Sequence, residues 1–388
     1  MLMVPGIAFL YSGLARRKSA LSMLWVVMMS FSVIVFQWYF WGYSLAFSAT
    51  SNNPFIGDLQ HFGLMKVWAT PSQGSPLVPA LLYSFYQMMF CAVTGALTVG
   101  AVAERGRVIP SMVFIFCWAT LVYCPLAYWV WNANGWGFTH GVLDYAGGVP
   151  VEIGSGMSAL AYSWVLGRRN EKLMMNFRPH NISLITLGTI FLWFGWLGFN
   201  GGSAFGANLR AVMASWNSCL TAMFAAATWC LLDFRLAKKW SMVGWCSGTI
   251  SGLVAATPAS GFIDPWASIA LGVVAGVCCN FGTKSELPPL CQLLHCPFTN
   301  TFSQSSSSSA LMTHLMSSLS TVSVALSVSS STASSPLVVS SVLTASTPAS
   351  PAASWMATLS SWAGRLLPLS LARPTPSSCP LSSPRPST

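Results

Sequence analysis

Residues 182–203 read ISLITLGTIFLWFGWLGFNGGS, without one ionisable side chain. A helix crossing the hydrocarbon core of a bilayer takes about 20 apolar residues, and this run is long enough. Reading outward in both directions finds seven more runs of similar length: about 20–48, 78–103, 108–131, 148–166, 212–234, 241–262 and 265–282. Of the 388 residues, 54% are hydrophobic and 7% are charged. A soluble domain carries roughly 25% charged residues, so the charges here are too few to cover a water-facing surface. Eighteen Trp and 23 Phe against eight acidic residues exclude disorder for most of the chain. The predicted fold class is an all-α membrane protein, a polytopic helical bundle.

Loop charge orients the bundle. Arg16, Arg17, Lys18, Arg105, Arg107, Arg168, Arg169, Lys172, Arg178, Arg235, Lys238, Lys239 and Lys284 fall in alternate loops, while the opposite loops hold only Lys66 and Arg210. By the positive-inside rule the basic set is cytosolic. That alternation requires a partial helix, Met1 to Ser12, ahead of eight full spans, and it puts the start of the chain outside. The partial helix reads as the second half of a longer one, since it is too short to span and lacks the basic flank of a signal peptide. Composition changes at Lys284. Residues 285–388 hold 30 Ser and 12 Pro but one Gly, so two segments are expected: a transmembrane domain over 1–284 and a low-complexity tail over 285–388, read as disordered or as out-of-frame translation.

The net charge of +10 does not point to nucleic acid, because the basic residues form short clusters between apolar runs and build no recognition module. Eleven Cys include no C-x-x-C pair, and most lie inside apolar runs as small hydrophobes, which argues against a disulfide or zinc framework. Glycines repeat at a spacing of four in Gly244, Gly248 and Gly252 and in Gly272 and Gly276, a pattern suited to close helix packing in lipid. Trp38, Tyr39, Phe40 and Trp41 lie near the outer end of a span, where an interfacial belt is expected.

Ionisable groups inside spans are costly and therefore informative. Glu152, in DYAGGVPVEIGSG over 144–156, has no Lys or Arg nearer in sequence than Arg168. It lines a pathway or caps a helix start after Pro150. Asp144, eight residues earlier, caps the same helix or lines a vestibule. His180, in Arg178-Pro179-His180-Asn181, is expected to tie backbone groups in a loop, and His61 and His140 lie in external loops with no nucleophile to pair with. Phe90, Trp131, Trp196 and Phe199 are each more readily packing than pore. Together with Glu152 they supply π faces to replace water around a small cation and a carboxyl deeper in. No paired carboxylates, activated nucleophile, metal cluster or cofactor motif points to an enzyme.

The chain resembles the ammonium transporter (Amt/Mep/Rh) family, fungal Mep branch, from Met3 to about Lys284. The resemblance rests on MVPGIAFLYSGLARRKSALSM (3–23), GAVAERGRV (100–108), DYAGGVPVEIGSGMSALAYSWVLGRR (144–169), FRPHN (177–181), FGWLGFNGGSAFGAN (194–208) and the continuous match over 241–284. It implies a fold of eleven helices, a homotrimer with one pore per protomer, and uptake of ammonium, with methylammonium as a possible second substrate, across the plasma membrane. It further implies roles for particular residues: Trp131, Ser203 and Phe90 in external recruitment of NH4+, Phe90 and Phe199 as the stacked pair closing the pore, and Asp144 as support of the recruitment site. Glu152 would stand at the pore proton-relay position, where many members carry His.

Two departures from the family accompany this. Set against the family pattern, the first half of the first helix is expected to be missing, and the two helices expected after Lys284, with the second pore histidine, are not recognisable in the tail. His295 and His314, in the anomalous tail, do not match the family pattern. These departures raise an alternative to transport: a non-transporting regulatory or dominant-negative subunit, or an ammonium sensor.

Overall fold

The computed structural model describes residues 1–167 and 178–284. The expected tail with His295 and His314 lies outside the described residues, as do Arg168, Arg169 and Lys172. Nine principal helices follow one another among the described residues. They are α1 (Met3–Leu14), α2 (Ala20–Phe47), α3 (Ala80–Val102), α4 (108–131), α5 (148–166), α6 (Ile182–Gly202), α7 (Leu209–Ala237), α8 (Met242–Ala256) and α9 (Pro265–Lys284). Pro71 and Pro79 make a lone antiparallel bridge, and no strand forms among the described residues. Each expected span contains a helix, although that of 241–262 stops at Ala256, and five stretches meet the length and hydropathy of a membrane crossing.

The exterior is apolar: Val165, Ile109, Leu121 and Phe194 are 86%, 78%, 73% and 64% exposed. In water such a surface would drive aggregation, whereas lipid accommodates it. The molecule is therefore a multi-pass membrane protein with an all-α fold.

Three spans are less regular than their hydropathy suggests. α2 and α4 each contain a five-residue π turn, Trp38–Gly42 and Ala119–Tyr123, and α5 opens with a six-residue one, Gly148–Ile153. The run 241–262 is helical only to Ala256. Pro258 has no N–H to extend the ladder, and tighter bonds take over: Thr257 N–H donates to the Val254 carbonyl at 3.1 Å and Ala259 N–H to that of Ala256 at 3.1 Å. A turn to Ile263 comes next and hands the chain to α9.

Glycines let the helices close on one another. A Cβ on Gly188 of α6 would lie 2.6 Å from the Gly6 carbonyl oxygen of α1, so this crossing admits only hydrogen. α7 lies against both α8 and α9. A Cβ on Gly248 would come within 2.7 Å of the Ala226 Cα, and one on Gly272 within 2.6 Å of the Thr221 carbonyl oxygen. The spacing-of-four pattern is thus the contact stripe itself.

The basic loops meet at one end. Arg16 Nε pairs with Glu104 Oε1 at 3.0 Å, and Arg105 reaches the Gly167 carbonyl and Ser163 Oγ. His180 Nδ1 lies 3.0 Å from the Ser12 carbonyl oxygen while its N–H donates to that of Gly13, the backbone-tying role expected of it. His61 and His140 bond backbone carbonyls of their own loops, those of Met65 and Trp136.

The aromatic run at the end of α2 is not a belt throughout. Trp38 is 1% exposed and its Nε1–H donates to the Ser84 carbonyl at 3.1 Å, whereas Tyr39 is 48% exposed. Consecutive helical residues point about 100° apart, so four in a row cannot share the lipid face.

Candidate functional site

The aromatic candidates converge from three helices. Phe90 comes from the middle of α3, Trp131 ends α4, and Phe199 lies in the last turn of α6. Phe90 and Phe199 face each other with centroids 4.2 Å apart and planes 30° from parallel. Trp131 meets Phe90 edge-on at 5.7 Å, and Trp196 lies behind Phe199 at 5.4 Å with its Nε1–H donated to Thr257 Oγ1 at 2.9 Å. Phe90 and Phe199 are 3% and 5% exposed, so the pair closes the space between α3 and α6.

Ser203 caps the C-terminus of α6 and is 8% exposed. Its hydroxyl donates to the Phe199 carbonyl at 2.8 Å, which leaves oxygen lone pairs to accept another hydrogen bond. Tyr86 is a member of the cluster that the sequence reading missed. Its ring lies 4.9 Å from Phe90, and its hydroxyl reaches the Phe199 carbonyl at 2.8 Å, the Gly198 carbonyl at 3.0 Å and Ser203 Oγ at 3.3 Å. The signal was available, since Tyr86 and Phe90 are four apart and so share a helix face. What Tyr86 touches on α6 was not readable from the chain.

Asp144 sits just before α5. Its Oδ1 accepts from Gly147 N–H at 2.7 Å and Gly148 N–H at 2.6 Å, and its Oδ2 from Val149 N–H at 2.6 Å. Of the two readings left open for Asp144, the helix cap is the one realised. Three backbone donors converging on two oxygens suit a carboxylate, which only accepts. Gly147 takes φ +112°, a left-handed conformation natural to glycine. A Cβ there would lie 3.2 Å from Trp131 Cζ2, so the loop that Asp144 organises packs directly against the tryptophan.

Glu152 is 1% exposed, inside the first turns of α5. Its N–H donates to the Gly147 carbonyl at 3.2 Å, and its carbonyl accepts from Ser155 Oγ at 3.2 Å. Its Oε1 has no hydrogen-bond partner among the described residues. The carboxyl therefore does not cap the helix, a task Asp144 performs. An unpaired buried carboxyl oxygen is expensive and demands a further ligand, water or proton.

Fold and site together define a class: an integral membrane helical bundle with a closed aromatic pair toward one end and, in Glu152, a buried carboxyl with an unpaired oxygen. Comparison with known proteins narrows it. The Ammonium Transporter Family matches residues 1–296, and the chain belongs to that family. It is 58% identical over 283 residues to the ammonium transporter MEP1 of Saccharomyces cerevisiae, covering 73% of this chain and 57% of that protein. It is 56% identical to MEP3 of the same yeast, covering 73% of this chain and 58% of that protein. The chain thus spans less than two thirds of the length of these relatives. The crystal structure of Saccharomyces cerevisiae Mep2 superposes with a TM-score of 0.74 at 44% identity, over 84% of this chain and 70% of that one. The Candida albicans Mep2 structure gives 0.73 at 42% identity, over 82% and 68%.

Proposed function

We propose that this chain moves ammonium across the membrane, recruiting NH4+ outside, removing its proton and passing NH3 inward. The observation that carries the reading is the Phe90–Phe199 pair, centroids 4.2 Å apart, with Trp131 edge-on to it and Ser203 Oγ beside it. The π faces of Trp131 and Phe90 attract a small cation, and Ser203 Oγ accepts one of its N–H groups. The stacked rings then oppose passage of a hydrated ion. NH3 is neutral and crosses an apolar path at far lower cost than NH4+. Potassium has no proton to give up, so deprotonation discriminates where size alone would not. Glu152, buried and with an oxygen unpaired, is the proton-handling group next along α5, and Asp144 holds the loop beneath Trp131.

The same reading takes residues 1–284 as the transport domain, a homotrimer in the plasma membrane as the assembly, methylammonium as a second substrate, and no chemical catalysis beyond the proton transfer. It is tested by methylammonium uptake in cells lacking ammonium transporters of their own. A cation–π contact is worth about 1–2 kcal/mol when desolvated, so Trp131→Leu should weaken the apparent affinity about tenfold. Uptake by the unsubstituted chain no greater than in empty cells, or equal affinities for both chains, would overturn the proposal.

A further inference from the structure

Arg210 is one of two Lys or Arg residues in the outer loops, the other being Lys66. It occupies the first turn of α7, just past the loop that leaves Ser203, and it is exposed. Its Cζ stands 5.7 Å from the centre of the Phe262 ring. Phe262 meets Tyr145 edge-on at 5.5 Å, and Tyr145 N–H donates to the Pro258 carbonyl at 3.1 Å. Tyr145 directly follows Asp144, whose bonds to Gly147 and Gly148 carry the loop beneath Trp131. Arg210 is thus joined to the recruitment cluster by a short chain of ring and loop contacts. Burial pushes the Tyr145 phenol up to about 12, and the Arg210 charge pulls the other way, so the field of the guanidinium reaches this loop.

Arg210 forms no ion pair among the described residues. The one ion pair among the described residues joins Arg16 to Glu104 at the opposite end. The carboxylates of the outer side are Asp58, Asp144 and Asp264, none within ion-pairing distance of Arg210, and both Asp144 oxygens are already bonded to backbone amides. A positive charge without an ion-pair partner thus stands on the loops that support a site suited to a cation.

We propose that Arg210 tunes substrate recruitment, its charge governing how readily cations accumulate at the outer site. Its charge raises the energy of NH4+ against Trp131 and makes recruitment sensitive to ionic strength. The inference rests on the ammonium reading above. Across about 10 Å of protein and water, a unit charge alters cation occupancy about twofold. Salt removes such an effect over a Debye length of about 8–10 Å.

The test uses the purified full-length chain, with methylammonium uptake into liposomes and calorimetric binding of ammonium to the detergent-solubilised protein. At low ionic strength Arg210→Gln should lower KM and Kd about twofold and Arg210→Glu about fourfold, while Arg210→Lys should match the unsubstituted chain. At about 0.5 M salt the differences should vanish. Shifts that persist at high salt would reveal a packing role and overturn the proposal, as would equal constants for Gln and Glu. An equal shift from Lys66→Gln would show a general surface effect and overturn it too. If the unsubstituted chain binds ammonium but takes none up, the transport reading falls and Arg210 is judged from Kd alone. If it neither binds nor takes up ammonium, both fall together.

Discussion

Two carboxyl groups eight residues apart in one segment have opposite surroundings. Asp144 receives three backbone N–H bonds, whereas Glu152, also buried, leaves Oε1 without a partner. We expect Asp144→Ala to cost about 3 kcal/mol or more, because three buried donors lose their acceptor at once. Asp144→Asn, keeping one carbonyl oxygen, should fall between. Thermal unfolding in detergent measures both, and an alanine variant as stable as the parent would show that water replaces the carboxylate. At Glu152 the expected effect is on pH dependence. A carboxyl becomes an anion on losing its proton and an imidazole becomes neutral, so Glu152→His should change the shape of the uptake profile between about pH 5 and pH 8. Superimposable profiles would remove Glu152 from the transport step.

At the level of helices, packing is set where side chains are smallest. α7 is flanked by glycine stripes on α8 and α9, and even a methyl group on Gly248 or Gly272 would press into backbone atoms. Gly252→Leu should therefore destabilise the bundle by about 3 kcal/mol, at the upper end for overpacking. Gly198→Ala, where a Cβ meets nothing within 4 Å, should be close to neutral. Melting temperatures in one detergent separate the two, and equal values would mean that α7 and α8 shift apart freely. The π turns belong to this scale as well. An extra residue in a turn rotates the side chains beyond it about the helix axis, and in α2 the turn begins at the Trp38 that points inward to Ser84.

For the whole molecule, the distribution of charge and the contacts between loops give one orientation. The loops carrying Arg16, Arg105 and Arg178 touch at one end, while those carrying Trp131, Tyr145, Ser203 and Arg210 gather at the other. A membrane-impermeant maleimide should label Lys66→Cys in intact cells above the background of the native cysteines, and Lys239→Cys only after permeabilisation. The reverse pattern would invert the bundle and put the aromatic cluster on the cytosolic side.

Much of this was legible in the chain. The eight apolar runs and the short helix before them come from a property each segment carries alone, its length of apolar residues, and the expected sidedness from the charge of the loops beside them. The aromatic and acidic candidates were readable as residues too costly or too large to place idly in a membrane, and the family motifs grouped them. Their arrangement was another matter. That Phe90 lies 4.2 Å from Phe199, that Tyr86 reaches the carbonyls at the end of α6, that Trp38 faces inward and that Asp144, not Glu152, caps α5 all depend on how separate helices rotate and cross. Hydrophobic runs specify that a helix enters the membrane but not its rotation about its own axis. That rotation is decided by close contacts between helices, by glycines, π turns and the pairing of buried polar groups, and these exist only once the bundle has assembled.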